Sequence, residues 1–392
     1  MTEVGAPRTA APLPSRFGGK LMAGRLKVGE IWGIPITLHA SWLLVFGLVT
    51  WSLAAAYFPT EYPGWTRAAY WLAGALTSIA FFASVLVHEL GHSWVALRNG
   101  IPIRGITLFV FGGVAQISRE PATPGVELRI ALAGPATSLG LAGLFRGIAL
   151  LMGDTVLVAA PAIWLARINL MVALFNLVPG FPLDGGRLLR AVIWRWTGSF
   201  HRATQAASVA GRLVALALMG YGVITVLGGD VLGGMWIVFI GWFLDNAAAA
   251  TQAQANLREL LRDVTVAQAM TRDCPRVPRD RTLEQLVQEE VLGAGRRCFF
   301  VTDDGRLCGL VTLHHIKSIP LERRSVVRAE DVMTRTEQLT LVGPEESMLA
   351  ALEKMDDANV AQMPVVAGGE LLGMIGREQI VRYLRARAEL GV

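Results

Sequence analysis

The sequence predicts a predominantly α-helical polytopic membrane domain, with about six spans and a small membrane-associated β-sheet, followed by a C-terminal α/β domain made of two copies of one unit. Three observations predict it. The 392-residue chain is 53% hydrophobic, only 17% charged and has a mean hydropathy of +0.46, too apolar for a soluble protein of this length. Almost all of the apolarity precedes residue 250 and charge concentrates after residue 256, which divides the chain in two. From residue 263 onward the text repeats itself.

Taken in order, residues 1–24 are rich in Ala, Pro, Gly and Arg with no apolar core, and are read as a disordered cytosolic tail rather than a signal peptide. Residues 25–250 form the membrane domain. Within it, 25–38 alternate around Gly29, Gly33 and Pro35 and predict a short strand at the membrane surface, leading into a first span at 38–57. A second span covers 68–97. Residues 106–118, β-branched and aromatic around Gly112-Gly113, predict a hairpin that cannot cross a bilayer. Further spans follow at 128–151, 156–178, 205–228 and 231–250. Residues 251–262 are read as a linker and 263–387 as the repeat domain, with copies at 263–320 and 326–387.

Loop charges support this count. With the N-terminus inside, the inner segments carry Arg16, Lys20, Arg25, Lys27, Arg98, Arg104, Arg119, Arg187, Arg190, Arg195 and Arg202, whereas the outer loops carry Glu61, Asp154 and Asp230. That is the positive-inside pattern of a multi-pass cell-membrane protein with both termini in the cytoplasm. The net charge of +5 is spread along the chain without interleaved aromatics, so nucleic acid is not an expected partner. Cys274, Cys298 and Cys308 form no CxxC and are expected to be reduced thiols. Arg146 is near enough to a span end to snorkel, while Arg167 falls mid-span and is expected to face the bundle interior or a water-filled cavity.

The second span ends in Val85-Leu86-Val87-His88-Glu89-Leu90-Gly91-His92. Histidines four apart share one helix face and can hold one metal ion, with Glu89 beside them. This is zinc-peptidase spacing: a zinc ion with three protein ligands keeps a position for water and lowers its pKa to about 7, and a neighbouring carboxylate takes the proton. A third ligand must come from elsewhere. After the fourth span the chain reads Phe175-Asn176-Leu177-Val178-Pro179-Gly180-Phe181-Pro182-Leu183-Asp184-Gly185, a helix broken by Pro and Gly with an Asp in the break. Irregular backbone at membrane depth is tolerated where it lines a cavity or is buried in protein, which favours Asp184 as that ligand. On its own, Asp184 is equally an N-cap for 185–197. His39 is read as interfacial, as are Asp245 and Asn246, and His201, His314 and His315 as solvated.

The paired motifs His88–His92 and Asn176–Gly185 closely resemble those of the site-2 protease family of intramembrane zinc metalloproteases, in particular its bacterial branch with a C-terminal CBS pair. The resemblance implies one Zn2+ per chain on His88, His92 and Asp184, Glu89 as catalytic base, and Asn176 orienting the substrate backbone or the developing oxyanion. It also implies that the edge of a membrane-embedded sheet, here the 106–118 hairpin, pairs with an unwound substrate. The family's Gly-Pro motif stands at Ala133-Gly134-Pro135-Ala136-Thr137-Ser138, with Ser138 where Asn is frequent, a departure expected at a support position that does not touch the metal ligands.

Val264–Thr271 and Ala329–Thr334 are matching openings of the two C-terminal copies, which look like a CBS tandem. In such tandems an Asp holds the ribose of an adenosine nucleotide. His315 and Gln379 stand at those positions, and Gly376 replaces the usual Ser or Thr, so a dimerising or regulatory role is expected ahead of nucleotide binding. The expected function is cleavage of a transmembrane segment in a single-span membrane regulator, by analogy an anti-sigma factor. The alternatives are a CBS-regulated transporter or channel, and an inactive scaffold of the protease fold.

Overall fold

The structure, a computed structural model, describes residues 25–390 apart from 111, 154, 274, 295, 297, 305 and 359. The N-terminal tail, Asp154, Cys274 and the hairpin residue Phe111 lie outside the described residues. The chain divides into two compact units, Met1–Ala253 and Gln254–Val392.

The first unit opens on β1 (Arg25–Ile31) and β2 (Ile34–His39). One strand was expected over 25–38. Trp32 and Gly33 instead adopt positive φ and turn the chain into an antiparallel hairpin. Then come α1 (Ala40–Glu61) and α2 (Arg67–Arg98), the second started by Thr66, whose hydroxyl accepts from the Ala69 N–H. Next are β3 (Ile103–Phe109) and β4 (Gly112–Ile117), the hairpin expected at 106–118. They are followed by α3 (Pro124–Leu151), α4 (Val156–Asn176), the short α5 (Asp184–Thr197), α6 (Phe200–Leu227) and α7 (Val231–Arg262). Residues 251–262 are helical, as the last three turns of α7.

Among the described residues six helices, α1 to α4, α6 and α7, are long and apolar enough to cross a membrane. Large side chains such as Leu44, Leu72, Leu213 and Leu232 are exposed, as lipid-facing surface requires. The buried contacts use small residues, among them Ala160, Ala203, Ala207 and Ala215, because close helix approach supplies the packing that water exclusion cannot supply in lipid.

The four strands form one sheet in the order β1-β2-β3-β4, with β2 and β3 parallel. That parallel pair is crossed over by α1 and α2, and Thr37 and Thr107 meet across it at 2.9 Å. Ile34, Ile103 and Ile106 from the sheet pack with Leu90 and Ala96 of α2 and Ile130 of α3. The sheet is thereby seated on the helix that carries the His-Glu-His motif.

In the second unit the sheet runs β5 (Arg276–Pro278), β6 (Cys298–Asp303), β7 (Arg306–Thr312), β10 (Glu370–Gly376), β9 (Gln362–Ala367), with β8 (Thr334–Arg335) pairing β7. The two copies exchange their openings. Thr271 bridges Met374 of the second copy, and Thr334 pairs with Leu310 of the first. Each copy's core is completed in the same way: Val264 and Val266 lie among second-copy residues, and Ala329 among first-copy residues. Cys298 is buried at the start of β6, and Cys308 is a free, half-buried thiol.

Candidate metal centre

His88 and His92 lie four apart on α2, and both are 5% exposed. Their Nδ1 atoms are held by α3: His88 by the Ser138 hydroxyl at 2.9 Å, His92 by the Ile130 carbonyl at 2.6 Å. An imidazole held at Nδ1 has its orientation and tautomer set and turns its Nε2 lone pair elsewhere. Here both turn to one point, with Nε2 atoms 3.2 Å apart. Asp184 Oδ2 completes the group, 3.1 Å from His92 Nε2 and 3.3 Å from His88 Nε2. Three lone-pair donors, one of them anionic, within 4.8 Å of one another suit a cation, and two imidazoles and a carboxylate are a zinc-type donor set.

The space around these atoms is supplied by an absent side chain. A Cβ on Gly134 of α3 would lie 2.1 Å from His92 Nε2 and 2.6 Å from His88 Nε2. No side chain fits there.

Asp184 is the first residue of α5, and the N-cap position falls to Leu183. The capping role that was equally open to Asp184 is therefore not the one it takes. Asn176 closes α4 and is half-buried at the start of the break. Glu89, also half-buried, meets the hairpin. A Cβ on Gly113 would stand 2.5 Å from Glu89 Cγ, and the Ala115 backbone N–H donates to the Glu89 carboxylate. Gly113 and Ala115 belong to β4, which is one of the two edge strands of the sheet.

Four expectations change. Ser138 does touch a member of the cluster, since it bonds the His88 ring directly. Of the two surroundings expected for Arg167, the bundle interior and a water-filled cavity, the first is not the one it has. It is exposed, and its side chain hydrogen-bonds Tyr57 of α1, whose hydroxyl compensates it. His201 is not solvated: its Nδ1 is buried without a hydrogen-bond partner among the described residues. Nor is His315, which is half-buried, its Nδ1 accepting from the Thr312 N–H at 3.3 Å, whereas His314 is exposed. His39 caps α1 through the Ser41 N–H, as an end-of-helix residue. Asp245 pairs at 2.9 Å with Arg212, a charge within the fifth span that the loop count passed over. Sequence reasoning also missed the buried pair Glu127–Arg190, which joins α3 to α5. No local pattern announces it.

The profile of peptidase family M50 matches residues 76–157 and 148–219, and that of the CBS domain matches 261–322 and 329–386. A Mycobacterium tuberculosis protein named as a zinc metalloprotease, Rip3, is 37% identical over 368 residues, 93% of each chain. The chain belongs to peptidase family M50. Another member, named as zinc metalloprotease sll0528 of Synechocystis, is 34% identical over 95% of this chain and 98% of its own. Of solved structures, the site-2 protease from Methanocaldococcus jannaschii is 28% identical, with a TM-score of 0.40 covering 58% of this chain and 95% of that one. The resemblance read from the two motifs is therefore a family membership, and it makes the chain a membrane metalloprotease with a C-terminal CBS pair.

Proposed function

We propose that this M50 member is an intramembrane zinc endopeptidase that cuts a transmembrane segment of a single-span regulatory protein near the cytoplasmic face. The observation that carries the reading is the meeting of His88 Nε2, His92 Nε2 and Asp184 Oδ2 at one buried point. Zn2+ is the cofactor, as in the relatives named above, and His88, His92 and Asp184 hold it. Bound there, it supplies Lewis acidity toward the scissile carbonyl and lowers the pKa of water.

The chain's own residues do the rest. Glu89 takes a proton from the attacking water and passes it to the leaving amide nitrogen, the acid–base work a carboxylate beside the reacting atoms can perform. Ser138 and Ile130 keep the imidazoles aimed. Asn176, at the edge of the break, orients the substrate backbone or the oxyanion. A transmembrane helix hides its peptide bonds in its own hydrogen bonds and must unwind first; the outer edge of β4, next to Glu89, offers a strand to re-satisfy the freed groups.

The positive-inside pattern supports cytoplasmic termini in a cell membrane, with the CBS pair on that side. A membrane-held regulator such as an anti-sigma factor is the substrate class the family analogy suggests. The CBS pair serves regulation or dimerisation. An adenosine nucleotide is the less favoured ligand, because His315 and Gln379 replace the carboxylates that would hold a ribose.

The test is zinc content and cleavage of a single-span reporter in wild type and in Glu89→Gln. Zinc retained with cleavage abolished is the expected result. Undiminished cleavage would remove Glu89 from the mechanism, and the same variant, used as a trap in native membranes, identifies the substrate by copurification.

A further inference from the structure

Arg190 of α5 is 5% exposed and is enclosed by four segments of the chain. Its Nε donates to Glu127 Oε1 of α3 at 2.7 Å, and its Nη2 donates to the same oxygen. Nη2 also lies 3.6 Å from Glu120 Oε2. The guanidinium stands 5.0 Å from the ring of Phe181, in the break before α5, and 4.5 Å from that of Phe200, at the start of α6. Glu127 has no exposed surface, and Arg187 Nε approaches its Oε1 at 4.0 Å.

A buried carboxylate and guanidinium in a membrane domain are costly, and their persistence asks for a role. Their location supplies one. Arg190 is on the helix that begins with Asp184, while Glu127 precedes by one turn the Ile130 carbonyl that holds His92. The pair thus joins the helix bearing the carboxylate to the helix bearing the supports of both imidazoles. A planar guanidinium donates only along fixed directions, so the pair bears on the rotation of α5 about its own axis. That rotation decides where Asp184 points. The break adds backbone bonds of its own at the start of α5, the Phe181 N–H to the Ala207 carbonyl at 3.2 Å and the Leu183 N–H to the Gly180 carbonyl at 3.1 Å, but none of them reaches α3.

We propose that Arg190 and Glu127 are positioning residues that hold Asp184 in register with His88 and His92. The proposal rests on the reading that these three residues bind the metal. Full-length protein in detergent is to be compared as wild type, Arg190→Lys, the neutral double variant Glu127→Leu/Arg190→Met, and Asp184→Ala. The measurements are zinc retained against a graded chelator and the midpoint of thermal unfolding. The folded double variant is expected to hold zinc at least about tenfold more weakly than wild type, as for lost outer supports of metal ligands. Arg190→Lys, which keeps the charge and loses the fork, is expected to fall between them. Wild-type zinc retention in either folded variant overturns the positioning role, and because Arg190→Lys leaves no bare charge, the test survives a double variant that fails to fold. Wild-type retention in Asp184→Ala would instead overturn the ligand reading itself.

Discussion

The Ser138 hydroxyl stands 2.9 Å from His88 Nδ1, on a different helix and 50 residues further along the chain. With a metal held on Nε2, as proposed, the ring would carry its proton on Nδ1 and donate it to the Ser138 hydroxyl. Ser138→Ala removes that acceptor. Zinc retention, measured by chelator competition, is expected to fall about tenfold, within the range for outer partners of ligating histidines.

Gly134→Ala is expected to be far more severe. Its Cβ falls on the two Nε2 atoms, and no rotamer change can move it away, because a methyl group has none. Metal analysis of the purified variant should find near-empty protein. Overpacking of this kind also costs about 1–3 kcal/mol, so a lower unfolding midpoint should accompany it.

Gly113→Ala separates chemistry from metal. The added methyl collides with Glu89 Cγ and leaves the imidazoles alone. Cleavage should drop by about a hundredfold, the scale of a displaced general base, while zinc content stays at the wild-type level. Loss of zinc in this variant would mean that the hairpin supports the cluster as a whole.

In the CBS pair, burial, with the nearby His314, holds the pKa of His315 below the usual histidine value. The unfolded chain therefore takes up the proton first as pH falls. Stability from the neutral, capping His315 is full above about pH 6.5 and is lost as pH drops through the folded value. The hydrogen-exchange protection factor across Leu313–Lys317, taken relative to the intrinsic rate at each pH, should fall between pH 7 and pH 5 in wild type, and His315→Gln should flatten that response.

The parts of this architecture that were legible in the sequence are those written locally. Spans announce themselves by length and apolarity, and α2 to α4 and α6 start or end within five residues of their expected limits. The histidine pair is legible because a helix turns four-residue spacing into proximity, and Asp184 because a Pro-Gly break at that depth is costly without a purpose. Ser138, Ile130 and Gly134 were not readable as neighbours of the imidazoles, since each acts across a helix contact that periodicity does not encode. Arg190 and Glu127 lie 63 residues apart, and nothing in either's surroundings names the other. The partner of Arg167 was not readable either: hydropathy sees a charge in an apolar run and not the Tyr57 hydroxyl that meets it.

The crossover between β2 and β3 has a bearing on biogenesis. The ribosome finishes α2, with its two imidazoles and Glu89, well before it reaches the aspartate, which follows His92 by 92 positions. On the proposed reading, a chain halted anywhere in that interval would carry Glu89 and two of the three ligands, without the carboxylate that completes the group. The full cluster therefore exists only once the chain has passed four membrane-length helices and all four strands of the first sheet.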